Sequence, residues 1–316
     1  MKQRFLTGAI IFATLVLVLL SKQLTPFIFD GFVLILAMLA CYEMSNLMAK
    51  MGQYNNKYFA ICYPLFAYAL YILGTSMDMK WYILLLVELS LIIVFVMAQW
   101  FFNLINYKQT QNEIQTRNLK LKVETFSIYK AIQTMIIYLY PALLMLFFVL
   151  INDLPRFKYM ISGISINSLT LLSMFALLLT FLIPIFTDTF AYFTGMLFKG
   201  PKLAPKISPN KTISGAIGGF VWGTLCSVVL FLIFNSVTEF AEVFASLNLA
   251  FWHFIILGAI VSSLCQLGDL LESYLKRKAN VKDSGNLLPG HGGILDRMDS
   301  HLISAPIVFI FLLIIL

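Results

Sequence analysis

Charge is scarce in this chain: Asp, Glu, Lys and Arg make up 12% of its 316 residues, against 60% hydrophobic residues and a mean hydropathy of +0.88. That balance excludes an ordinary soluble domain. Cysteine is equally sparing. Cys41, Cys62, Cys226 and Cys265 all fall inside apolar stretches without ligand-like spacing, which argues against a disulfide framework or a zinc site and leaves them as small core residues. A small-residue cleavage site is lacking after Leu20. The first apolar run follows Lys2 and Arg4 as the core of a signal peptide would, yet it reads as a retained anchor because further runs follow directly.

Apolar sequence is what the chain has in length. A hydrocarbon core of about 30 Å needs roughly 20 helical residues at ~1.5 Å each. Such runs occur at residues 5–24, 26–49, 58–74, 81–105, 134–151, 169–193, 215–235, 252–271 and 301–316. The expected fold class is therefore all-α, a polytopic integral membrane protein with about nine transmembrane helices. Basic residues orient it, since loops on the cytoplasmic side carry the excess of Lys and Arg. With the N-terminus in the cytoplasm, only Lys22, Lys80, Arg156 and Lys158 of the 22 basic residues fall outside, and the outer stretch 236–251 holds Glu239 and Glu242 with no base. The net charge of +7 then faces anionic lipid headgroups, and nucleic acid is not needed as a partner.

Three regions follow: N-terminal transmembrane helices at 1–105, a polar cytoplasmic insert at 106–133, and a C-terminal transmembrane catalytic region at 134–316. Within the insert, Leu119, Leu121 and Val123 alternate with Asn118, Lys120 and Lys122, as in a strand-like or surface-lying segment; a solvated linker is the plainer reading. Glu43 and Glu88 are intramembrane carboxyls. Burial in lipid is costly enough to make each a functional candidate, or else a neutral group bonded between helices.

Chemistry concentrates between Ser273 and Asp299. Lys276, Arg277, Lys282 and Arg297 suit phosphate oxygens, and Asp283, Asp296 and Asp299 are hard ligands for Mg²⁺. Gly285, Gly290, Gly292 and Gly293 let backbone amides approach an anion. A loop serving only the charge rule would need lysines, not Pro-Gly-His-Gly-Gly followed by Asp-Arg-Met-Asp. Upstream, Asp269, Glu272 and Ser273 share a helix face, as metal ligands or as a solvated cap. A second patch runs from Asp188 and Tyr192 through Ser208, Lys211 and Thr212 to Gly215, resembling in composition a phosphate-holding loop at a helix start.

These residues resemble the phosphatidate cytidylyltransferase (CDP-diacylglycerol synthase) family. Its pattern is Ser-x-apolar-Lys-Arg, four residues, Lys-Asp-x-small, two residues, apolar-Pro-x-His-Gly-Gly-apolar-x-Asp-Arg-apolar-Asp, and Ser273 to Asp299 meet every defined position. The likeness covers roughly 165–316, with two departures: Ser214 where Glu or Gln is common, and the order Phe198-Lys199-Gly200. The resemblance implies CTP and phosphatidate as substrates, pyrophosphate as leaving group, and Mg²⁺ held by Asp269 and Asp296, a second metal ion being left open. It agrees with the roles read from the residues, in which Lys276, Arg277, Lys282, Lys211 and Arg297 neutralise phosphates and Ser208, Thr212, Gly215, Ser273, Gly292, Gly293 and Asp188 surround them. His291 is either a base or a hydrogen-bonding loop residue; His253 and His301 are expected at span ends. The expected setting is a bacterial inner membrane with the site on its cytoplasmic side, and a homodimer is left open. Competing readings are a cytidylyltransferase or kinase for another membrane lipid, and a transporter. The transporter reading lacks polar motifs in both halves, and the Asp-Gly-x₂-Ala-Arg motif of CDP-alcohol phosphotransferases is absent.

Overall fold

The computed structural model describes residues 2–22, 25–160 and 164–316. Apolar segments in lipid must satisfy their backbone N–H and C=O groups internally, which makes the helix their local solution. The helices are α1 (Lys2–Ser21), α2 (Pro26–Lys50), α3 (Lys57–Ser76), α4 (Trp81–Ile105), α5 (Tyr107–Thr116), α6 (Val123–Ile137), α7 (Leu144–Asn152), α8 (Ile166–Phe198), α9 (Ile213–Asn235), α10 (Thr238–Ser246), α11 (Phe251–Lys278) and α12 (Leu295–Ile315). Among the described residues, eight stretches are long and apolar enough to cross a membrane: α2, α3, most of α4, the joined α6–α7, α8, α9, α11 and α12. The chain is an all-α integral membrane protein. The first expected run folds as α1, and its final residue, Leu24, lies outside the described residues.

Several boundaries depart from hydropathy. The alternating stretch around Leu119 forms no strand: the Leu119 amide closes the end of α5 on the Ile114 carbonyl at 3.0 Å, after Asn118 turns left-handed at φ 52°. Here α5 folds back on α6, where Lys130 pairs with Glu113 at 2.7 Å and Ile114, Val123 and Phe126 make a small separate core. The helix expected from 134 begins at Val123 instead. It bends between α6 and α7, where Tyr140 leaves helical geometry (φ −136°, ψ 112°) ahead of Pro141, a residue that disfavours helix before it and donates no amide.

The only strands among the described residues are β1 (Lys202–Ala204) and β2 (Ser208–Thr212), an antiparallel hairpin pairing Lys202 with Thr212 and Ala204 with Ser208. It follows α8, whose 33 residues span roughly 50 Å. Helices α8 and α9 lie close because α9 presents glycine: a Cβ on Gly219 would fall 2.7 Å from the Thr187 carbonyl oxygen and 2.9 Å from the Ala191 Cβ. At the far end of the bundle Phe175 meets Phe234, Phe240, Phe244 and Phe254, with ring centroids within 6.5 Å.

Candidate active site

Much of the stretch expected as a loop is helix. Because α11 continues to Lys278 and α12 starts at Leu295, Asp269, Ser273, Lys276 and Arg277 stand on the last turns of one helix, and Asp296, Arg297 and Asp299 on the first turns of the next. The helical spacing of Glu272 and Lys276 lets the ammonium reach Glu272 Oε2 at 3.0 Å while it also donates to Asp296 Oδ1 at 2.7 Å. The other Asp296 oxygen accepts the Ser284 and Gly293 amides at 2.9 and 2.8 Å. Across the site, Lys211 on β2 is ion-paired with Asp269, and Ser273 Oγ donates to Asp269 Oδ1 at 3.4 Å. Asp188 on α8 accepts from Ser300 Oγ at 3.1 Å, and the charges of Asp269 and Asp299 both act on it.

The connecting segment 279–294 is held by a carboxylate from the other half of the chain. Glu43, on α2 and 1% exposed, accepts the Ile294 and Leu295 amides at 3.1 and 2.8 Å and the Ser284 hydroxyl at 3.3 Å. A Cβ on Gly285 or Gly293 would collide with that carboxylate. At these two positions the lack of a side chain is what lets the backbone lie against the Glu43 carboxyl. Gly290 and Gly292 take left-handed conformations (φ 76° and 84°) that fold the loop tip back.

Three cavities surround this framework. One of about 750 Å³ is lined by Tyr192, Ser208, Lys211, Thr212, Gln266 and Asp269, among others. A polar one of about 640 Å³ lies over Lys282, Asp283, Asn286, His291 and Arg297. The third, about 560 Å³, is an apolar crevice bounded by Phe29, Phe32, Val33 and Leu36 of α2 and by Phe181 and Ile185 of α8. Its polar end holds Asp188, Asp296, Arg297 and Asp299. Asp188 also lines the first cavity and Arg297 the second, so the three converge.

Other expected residues take specific places. Thr212 caps α9, its hydroxyl accepting the Gly215 amide at 3.1 Å. Ser214, at the departure from the common pattern, bonds the Lys199 carbonyl. Arg277 ties the end of α11 to the hairpin through the Ile207 carbonyl at 3.2 Å, and Arg297 bonds the His291 carbonyl at 3.1 Å. His253 begins α11, accepting the Ala250 amide at 3.0 Å. His301 is not at a span end: it packs on Phe181 inside the crevice because α12 starts earlier than hydropathy implies. Glu88 is buried with neither oxygen bonded to any described residue, so it takes no part in the site's hydrogen-bond network. Glu43 was legible only as an intramembrane charge; nothing adjacent in sequence points to its partners.

Among the described residues, no three His, Cys, Asp or Glu groups form a ready metal cage. The donor set nevertheless fits a hard divalent cation. Asp188, Asp269, Glu272, Asp296 and Asp299 converge while the ion pairs supply only Lys211 and Lys276, leaving carboxylate oxygen in excess.

A family model described as the cytidylyltransferase family matches residues 2–315. A phosphatidate cytidylyltransferase of Staphylococcus saprophyticus is 45% identical over 137 residues, 43% of this chain and 48% of that protein. Proteins of the same name from Rickettsia prowazekii and Rickettsia felis are 42% and 43% identical over 165 and 151 residues. Those matches take in 49% and 46% of this chain and 70% and 64% of the rickettsial proteins. The matched part thus spans about half the length of the staphylococcal relative.

Proposed function

Since the chain belongs to the cytidylyltransferase family, we propose that it transfers CMP from CTP to phosphatidate, forming CDP-diacylglycerol and releasing pyrophosphate. The observation that carries this reading is the convergence of an apolar crevice and two polar cavities on one group of charges. A lipid phosphate and a water-soluble nucleotide can meet only at such a junction.

In this reading the acyl chains lie along α2 and α8, with the phosphate at the polar end of the crevice beside Arg297. The nucleotide occupies the cavities over Lys211 and Lys282. A phosphatidate oxygen attacks the α-phosphorus of CTP, a new P–O bond forms, and the bond to the β-phosphate breaks. The attacking phosphate monoester is already largely ionised at neutral pH, so no strong base is required of His291. Lys211, Lys276, Lys282, Arg277 and Arg297 offset the charge of the triphosphate, and Ser208, Thr212 and Ser273 offer hydroxyls beside it. Asp269 and Asp296 would hold Mg²⁺, supplying positive charge against the leaving pyrophosphate. The site lies on the cytoplasmic face of a bacterial inner membrane, where CTP is available.

The test combines purified protein, radiolabelled CTP, phosphatidate and Mg²⁺. Lipid-linked CMP is the expected product, abolished by a chelator and restored by Mg²⁺. Asp296→Ala is expected to lower kcat about 10²–10³-fold, the scale for losing one preorganised charge contact. No lipid-linked CMP from the wild type overturns the reaction, and full activity in Asp296→Ala overturns the site.

A further inference from the structure

The polar motifs of the second half account for every charge so far placed around the substrates, yet the loop that carries several of them does not hold itself. Its two feet are Ser284 and residues 293–295. Asp296 grips both through the Ser284 and Gly293 amides, and Glu43 grips both again through the Ser284 hydroxyl and the Ile294 and Leu295 amides. Between those feet lie Asn286, Leu288 and His291, which line the polar cavity. Glu43 also lies at the amino end of α12, where free amides favour a negative group. It continues a face of α2 that includes Phe29, Val33 and Leu36, residues that bound the apolar crevice.

We infer that Glu43 is a positioning residue for the reaction: it sets the loop and the first turn of α12, and thereby the placement of Asp296 and Arg297, from a helix that contributes no group to the chemistry. The carboxylate suits this role because its two oxygens serve two adjacent amides at once. Amide side chains of the same length offer one acceptor and turn an N–H toward the other amide. Gly285 and Gly293 belong to the same device, since a side chain at either position would displace the carboxylate. The inference rests on the proposed reaction for its kinetic arm and on nothing but geometry for its structural arm.

Hydrogen exchange on the detergent-solubilised full chain reads the structural arm. Glu43→Ala is expected to speed exchange of the Ile294 and Leu295 amides about tenfold or more, whereas Glu88→Gln leaves them unchanged. The kinetic arm is steady-state CMP transfer. Glu43→Ala is expected to lose about tenfold or more in kcat with KM for CTP within about twofold, and Glu43→Gln to fall between it and wild type. Gly293→Ala is expected to lose kcat similarly, and combining it with Glu43→Ala costs little more than either alone, because one interaction is being removed twice. Should Glu43→Ala fail to fold, Glu43→Gln and Gly293→Ala carry both readouts. Unchanged exchange, unchanged kcat, a loss confined to KM, or losses that multiply in the double variant each overturn the inference. A wild type that makes no lipid-linked CMP overturns the proposed reaction instead, and the exchange arm still decides the role of Glu43.

Discussion

Lys276 serves two carboxylates from a position where its side chain keeps 13% of its exposure and those of Glu272 and Asp296 keep 0% and 4%. Breaking a buried pair by removing one partner costs about 3–5 kcal/mol, because the remaining charge is left uncompensated. Lys276→Ala is therefore expected to lower the thermal midpoint of the solubilised protein clearly more than Lys211→Ala, whose ion pair with Asp269 is 29% and 24% exposed. Equal shifts would contradict this assignment of burial and charge. At this scale the sequence was informative about residue type and silent about pairing. Lysines, arginines and carboxylates interleaved with glycine suggest phosphate chemistry, but whether Lys276 faces a substrate or two neighbouring acids depends on where α11 and α12 begin and end. Glu43 is the extreme case, 251 positions before the Ile294 amide it accepts.

Between elements, the joint of α8 and α9 governs the site, since α8 carries Asp188 and the hairpin leading into α9 carries Lys211. Small residues let the two backbones approach closely. A methyl group on Gly219 would press on the Thr187 carbonyl and the Ala191 side chain, whereas Gly31 on α2 has nothing within 4 Å of the same position. Overpacking costs about 1–3 kcal/mol, and relieving glycine in an open helix returns about 0.5–1 kcal/mol. Gly219→Ala should thus lower the thermal midpoint while Gly31→Ala holds or raises it, and scanning fluorimetry on the two variants checks the opposite signs. Long apolar runs made most of these helices readable beforehand. Their ends were not, because hydropathy falls where polar residues begin while a helix stops where its terminal amides and carbonyls find other partners. That is why α11 and α12 extend into the polar motif and why the alternating Leu119 stretch closes a helix.

Across the whole molecule, a second polar network lies roughly 20 Å further along α2 from Glu43, at ~1.5 Å per residue. Asp30 accepts from Tyr68 and Asn152 at 3.1 and 2.8 Å, while Asp153 meets Arg156 at 3.0 Å and Tyr71 at 3.2 Å. Burial, reinforced by the charge of Asp30, pushes the Asp153 carboxyl up to about 7 against the pull of Arg156. The folded chain therefore keeps a proton that the unfolded chain releases near pH 4, and the stability this proton contributes declines as pH rises from about 4 to about 7. Relative to wild type, Asp153→Asn should gain thermal stability as pH rises from about 4 to about 7; parallel pH profiles would place the titration elsewhere. No sequence pattern marked this network, since its members come from α2, α3, α7 and the turn after α7.

The crevice along α2 and α8 has a kinetic corollary. In the proposed reaction, if acyl chains stay seated among Phe29, Phe32 and Phe181 while only the headgroup changes, both acceptor and product remain in the plane of the bilayer. Encounter is then two-dimensional, and velocity follows the mole fraction of phosphatidate in the surface rather than its amount per volume. Adding inert detergent at constant total phosphatidate should slow the reaction, and extra CTP should not restore it.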